Sequence, residues 1–136
     1  MKKKGLIVIS DYYSDISKNL LKYCLITLKQ NGLKADVKTV SGSLEIPTLI
    51  SCKTKSKKYK FFIALGCIIK GKTPHFNFIS SAITNSLLSI SIDHKLPVSN
   101  GIITSLNYKQ AIERSSNKRN KGIEAATAVI SLLKHF

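Results

Sequence analysis

Acidic side chains are scarce in this 136-residue chain: seven Asp and Glu stand against 22 Lys and Arg, which leaves a formal net charge of +15. Such an excess is compatible with a polyanionic partner. The lysines, however, are scattered among abundant Ile, Ser and Asn, which fits a general compositional bias better than a dedicated nucleic-acid surface. Cysteine is also sparse. Cys24, Cys52 and Cys67 are an odd number with no CxxC and no metal-ligand spacing, so they read as reduced thiols of a cytoplasmic protein, Cys24 and Cys67 in core positions, with no metal site. No long hydrophobic run is present. The apolar residues 6–9 that follow the basic MKKK start are too few for a signal peptide or a membrane span, and a soluble protein is expected. Three prolines and seven glycines give few loop signals. A 43% hydrophobic content over this length suffices for one core, so residues 1–136 are expected to form a single domain without repeats or linkers.

Strand and helix patterns alternate along the chain. Residues 6–9 form a short apolar strand; Ser14 offers an N-cap, and Ile16, Leu20, Leu21, Cys24, Leu25 and Leu28 repeat at helical spacing until Asn31-Gly32 ends the helix. Residues 34–40 alternate as a half-exposed edge strand does, and the turn Ser41-Gly42-Ser43 leads to a helix over 46–53 with Pro47 in its first turn. Residues 61–65, extending toward Ile69, are the most apolar strand and should be central. A helix over about 74–93, a fourth strand over 97–103 and helices over 107–114 and 121–134 complete the pattern.

This alternation implies an α/β fold: a four-stranded parallel sheet of flavodoxin-like layout with helices on both faces, a three-layer sandwich. Ligands of such sheets bind beyond the carboxyl ends of the strands. Four segments should therefore gather at one edge: residues 10–13, 40–45, 66–75 and 104 onward. The stretch LGCIIKGKTPHFNF, residues 65–78, stands out among them. An apolar strand runs into a Gly-Lys-Thr turn able to offer backbone N–H groups to an anion, and His75 follows at the start of a helix.

These segments carry a resemblance. VSGSLEIP at 40–47 resembles the V-P-G-(small)-(Phe)-E-I-P motif of the 6,7-dimethyl-8-ribityllumazine synthase family, and LGCIIKGKTPHF at 65–76 resembles its L-G-x-(V/I)-I-(R/K)-G-x-T-x-H-(F/Y). PVSNGIITS at 97–105, QAIERS at 110–115 and NKGIEAA at 120–126 continue the match in order over nearly the whole chain. The resemblance implies a transferase of riboflavin biosynthesis that needs no metal and no redox cofactor. It would condense 5-amino-6-(D-ribitylamino)uracil with 3,4-dihydroxy-2-butanone 4-phosphate to give the lumazine, phosphate and water.

Carried over residue by residue, the resemblance makes His75 the proton-transfer group. An isolated histidine is more often a helix cap or a surface residue, and His94 and His135, without such a motif, are expected at the surface. Gly71, Lys72 and Thr73 match the phosphate-binding turn, Lys72 in place of the family's usual small residue. Arg114 matches the arginine that grips the phosphate; outside the motif it would read as a surface partner of Glu113. Tyr12 falls where an aromatic ring stacks on the pyrimidine, although the adjacent Tyr13 leaves the choice open. Ser43, Leu44 and Glu45 match the segment that contacts the ribityl chain and ring, Cys67 and Ile68 line the pyrimidine through backbone, and Asn100 and Lys121 complete the set. Leu44 for the common Phe, Ser41 for the common Pro, and Asn100 for an apolar or aromatic residue are departures that bear on affinity for the pyrimidine.

The resemblance further implies a pentamer, alone or within larger shells, with Asn100, Arg114 and Lys121 reaching the site of a neighbouring subunit. A short start before the first strand, and SSNKRNKG one residue shorter than the family's A-G-T-K-x-G-N-K-G loop, favour the simple pentamer. A different class competes: a basic nucleic-acid-binding module on an inactive scaffold, with KTKSKKYK at 53–60 as the contact patch. That run reads more readily as a solvated helix end, since no recognised reader motif accompanies it, and no specific nucleic-acid partner is expected. A receiver domain would need a phosphoacceptor Asp at the end of the third strand, where Gly66 and Cys67 stand, and a flavodoxin-like flavin carrier would copurify yellow.

Overall fold

The computed structural model describes residues 3–72 and 75–136. Its elements run β1 (Lys4–Ser10), α1 (Ser14–Gln30), β2 (Lys34–Val40), α2 (Glu45–Lys53), β3 (Phe61–Ile69), α3 (His75–His94), β4 (Val98–Ser105), α4 (Tyr108–Arg114) and α5 (Lys121–Leu133). The strands form one sheet in the order β2-β1-β3-β4, parallel at every pairing. This is the expected flavodoxin-like sandwich, with β3 internal and the half-exposed β2 at an edge.

Strand periodicity sorts the core into two layers. Ile7, Ile9, Phe61, Ile63, Leu65 and Cys67 pack with α1 and α5 through Leu20, Cys24, Leu28 and Val129, among others. Leu6, Val8, Phe62 and Ala64 pack on the other face with Ile46, Ile50, Ile83 and Leu87 of α2 and α3. Cys24 and Cys67 are buried as expected, Cys52 is exposed, and His94 and His135 are at the surface.

Two local expectations are corrected. Ser14 does not cap α1: the N-cap is Tyr13, without a side-chain cap bond, and Ser17 instead donates its hydroxyl to the Ser10 carbonyl at 2.6 Å. Both β1 and β4 outrun their apolar stretches, because parallel pairing recruits the backbone of Lys4, Gly5 and Ser10, and of Thr104 and Ser105, whatever their side chains. Helix ends otherwise follow the local chemistry. Gly32 (φ +72°) closes α1, with Gly32 and Leu33 donating back to Lys29 and Leu28, and Asn107 and Asn120 cap α4 and α5.

The chain steps from β1 outward to β2, then back past β1 to β3. That reversal opens a crevice at the carboxyl ends of β1 and β3, where the ligand site of such a sheet belongs.

Candidate active site

The crevice is a cavity of about 280 Å³ lined by Tyr12 and Tyr13 after β1, Gly42, Ser43, Leu44 and Glu45 after β2, Cys67, Ile68 and Ile69 at the end of β3, and Ile79 of α3. Six residues predicted from sequence are thereby brought together: Tyr12, Ser43, Leu44, Glu45, Cys67 and Ile68. Its walls are largely apolar and its polar groups few, the composition expected of a small-molecule site.

Tyr12 and Tyr13 both line the crevice but differ in exposure. Tyr12 is 74% exposed, its ring perpendicular to that of Tyr13 with centroids 4.9 Å apart, so it is open to contact from a ligand. Tyr13 is half-buried at the helix start, and burial, with Cys67 and Tyr12 nearby, pushes its phenol up. Ser43 is buried, its hydroxyl 3.1 Å from that of Ser10. Leu44 is exposed at the rim. Glu45 opens α2 and accepts a 3.1 Å hydrogen bond from the Ser41 hydroxyl, which aims the carboxylate while leaving it accessible. The Cys67 thiol is pushed up to about 11 by burial, so it lines the cavity as a neutral apolar group.

His75 is the first residue of α3 and is exposed at the helix N-terminus. Gly71 and Lys72 lie in the exposed link between β3 and α3, and among the described residues nothing lies within 4 Å of where a Cβ at Gly71 would stand. Thr73 lies outside the described residues.

Within this chain Asn100, Arg114 and Lys121, which the resemblance assigns to a neighbouring subunit's site, do not line this cavity. Arg114, at the end of α4, and Lys121, at the start of α5, line a separate polar depression of about 240 Å³ with Ile102, Ile103, Thr104, Arg119 and Glu124. Asn100 and Lys121 line a third, of about 350 Å³, between β4 and α5. None of these residues is shared with the crevice, because β4 is the far edge strand and α5 packs along it, so its flanking residues open onto that edge. Arg114 does not pair with Glu113; its Nη1 donates to the Thr104 carbonyl at 2.8 Å. Asn100 accepts from the Ile102 N–H at 3.0 Å, and Lys121 lies 3.7 Å from Glu124. Arg119 is a lining residue that sequence reading passed over, since it sits in the polar break between α4 and α5.

In the basic run 53–60, Thr54 and Tyr59 are buried while Lys55, Lys57, Lys58 and Lys60 are exposed. Tyr59 is buried against Phe62 and donates its hydroxyl to Asp36 at 2.7 Å, while Lys58 pairs with the same carboxylate at 3.3 Å. The one aromatic ring of that run is thus unavailable for stacking on a base.

Comparison with known proteins adds to this geometry. The 6,7-dimethyl-8-ribityllumazine synthase family matches residues 2–136. A protein of that name from Buchnera aphidicola subsp. Baizongia pistaciae is 43% identical over 97% of this chain and 86% of its own length. One from Buchnera aphidicola subsp. Acyrthosiphon pisum is 42% identical over 93% and 82%, and one from Bartonella bacilliformis 38% identical over 96% and 90%. On a match of this extent, over a fold with its crevice at the expected switch point, the chain belongs to the 6,7-dimethyl-8-ribityllumazine synthase family.

Proposed function

We propose that the protein is the transferase of riboflavin biosynthesis that condenses 5-amino-6-(D-ribitylamino)uracil with 3,4-dihydroxy-2-butanone 4-phosphate to 6,7-dimethyl-8-ribityllumazine, phosphate and water. The observation that carries this reading is the convergence of motif residues from three strand ends on the crevice at the β1/β3 switch point.

The pyrimidine stacks on Tyr12, its ring edge meets the backbone of Cys67 and Ile68, and its ribityl chain lies along Ser43 and Leu44 with hydroxyls donating to Glu45. The phosphate of the second substrate sits by Gly71, Lys72 and Thr73, beside His75. The primary amine attacks the ketone and water leaves as the imine forms. His75 takes and returns the protons of the elimination that expels phosphate, and ring closure releases a second water. Holding the two reactants in register can supply about 7–11 kcal/mol of the acceleration, so much of the work falls to the binding residues.

The site is completed across subunits, with Arg114, Lys121 and Asn100 contributed by a neighbouring copy in a homopentamer. Two features support that assembly. These three residues open onto depressions separate from the crevice, and α3 and the α4 region leave Phe78, Leu88, Ile92, Leu106, Tyr108 and Ile112 exposed in a single chain. The enzyme works in the cytoplasm as one domain over residues 1–136, without a specific nucleic-acid partner.

The test is to mix purified protein with both substrates in metal-free buffer and follow lumazine absorbance and fluorescence against a no-enzyme control. Formation above the control is expected; folded protein giving none would refute the assignment.

A further inference from the structure

The link between α4 and α5 is anchored by one buried side chain. Asn120 accepts hydrogen bonds from the Gly122 and Ile123 N–H groups at 2.8 and 3.3 Å, and donates to the carbonyls of Ser115 and Asn19 at 2.8 and 3.3 Å. Its amide is fully used, tying the link both to the end of α4 and to α1. The residues on either side, Arg119 and Lys121, therefore leave a fixed backbone, and both line the polar depression with Arg114 and Thr104.

Three cations and one carboxylate, Glu124, line that depression, an excess of two positive charges. The cations are unequally committed. Lys121 faces Glu124 at 3.7 Å, and Arg114 gives one N–H to the Thr104 carbonyl. Among the described residues Arg119 has no hydrogen-bond or ion-pair partner, so all five of its donors remain for a ligand.

We propose that Arg119 is a second arginine for the phosphate of the four-carbon substrate, working beside Arg114 and selecting the phosphorylated ketone over its unphosphorylated form. The inference rests on the synthase reading above, in which this face supplies the phosphate half of a neighbour's site. A phosphate monoester presents three terminal oxygens with several lone pairs each, and Arg114, with one N–H already given to a carbonyl, leaves room beside the donors of the 71–73 turn for a further cation. A second planar fork matches the remaining oxygens in charge and geometry, which a solvated lysine does not do as well.

The experiment compares wild type, Arg119→Ala and Arg119→Lys at saturating pyrimidine with the phosphorylated ketone varied, and titrates inorganic phosphate into each protein by ³¹P NMR. In Arg119→Ala the KM for the ketone should rise roughly 10- to 100-fold, as expected for loss of a charge-assisted bond. The kcat should stay within about twofold and the KM for the pyrimidine unchanged, since only ground-state binding of one substrate is removed. Phosphate affinity should fall in parallel, and Arg119→Lys should recover part of both. If Arg119→Ala misfolds, Arg119→Gln, which keeps the stem, carries the same comparison. Unchanged phosphate affinity and ketone KM in an active background would overturn the role of Arg119 alone. A folded wild type that makes no lumazine would overturn the synthase reading, whatever phosphate does.

Discussion

The hydroxyl of Ser10 at the end of β1 lies 3.1 Å from the hydroxyl of Ser43 in the turn after β2, and both are buried beneath the crevice. The third strand closes over this pair at Gly66. A Cβ there would overlap the Ser10 hydroxyl and come within 2.9 Å of that of Ser43. Three strand ends are thus held by two hydroxyls and one missing side chain, and the held turn carries Leu44 and Glu45. Gly66→Ala should push the two serines apart and cost about 1–3 kcal/mol, as overpacking of a tight site does. Because the displaced turn carries the ribityl contacts proposed above, the KM for the pyrimidine should rise while that for the phosphorylated ketone stays near wild type. Urea unfolding together with two-substrate kinetics checks both halves of this expectation.

His75 stands apart from that framework, exposed at the first position of α3. Its removal should spare packing and strike chemistry. His75→Ala is expected to lower kcat by roughly 10²- to 10⁴-fold, the usual contribution of a positioned acid–base group. Sedimentation velocity should find the assembly unchanged. Wild-type turnover in this variant would move proton transfer to another residue or to solvent.

How far the sequence reading reached depended on the kind of signal. The internal place of β3 and the edge place of β2 were legible because burial on both faces demands an apolar run and burial on one demands alternation. The segments of the crevice were legible because strand ends of a parallel sheet converge at a topological reversal, while the individual residues within them were picked out by the motif resemblance. Capping was less so: Ser14 has the right chemistry for an N-cap, but Ser17 reaches the Ser10 carbonyl and sets the helix start one residue earlier. That Arg114 and Lys121 would serve a neighbour's site was implied by the resemblance alone, since strand order, and not the residue pattern, decides which side of an edge strand a following helix opens onto. Arg119 was hidden for another reason. In the run SSNKRN it looks like one more solvated cation, and only the bonds of Asn120 reveal that the backbone beneath it is fixed.

The three thiols differ in environment, and their reactivity should follow. Burial pushes Cys24 up to about 12 and Cys67 up to about 11, while Cys52 lies exposed on α2. Since the thiolate is the attacking species, a disulfide reagent at pH 8 should modify one cysteine quickly in the native protein and the other two only on unfolding. Cys52→Ser should abolish the fast phase. Rapid modification of a second thiol would mean that the crevice opens enough to wet Cys67.

At the opposite end of the sheet Asp36 gathers three partners: the Tyr59 hydroxyl at 2.7 Å, Lys4 at 2.9 Å and Lys58 at 3.3 Å. These join β2 to β1 and to the segment that leads into β3. The hydrogen bond from Tyr59, followed by that from Lys4, holds the Asp36 carboxyl well below the ordinary carboxylate range. A carboxylate lowered in the folded state adds stability that is fully present above the unfolded value, near pH 4, and is lost as pH falls through the folded one. Asp36→Asn should therefore unfold at lower urea than wild type at pH 7. As the pH is taken from 5 toward 2 the wild type should lose this advantage and the two midpoints converge. The lysines at 35% and 56% side-chain exposure are screened by solvent, so added salt should narrow the gap at pH 7 as well. A difference between the two proteins that stays constant from pH 7 to pH 2 would mean that the substitution acts through packing around Tyr59 and not through the charge of Asp36.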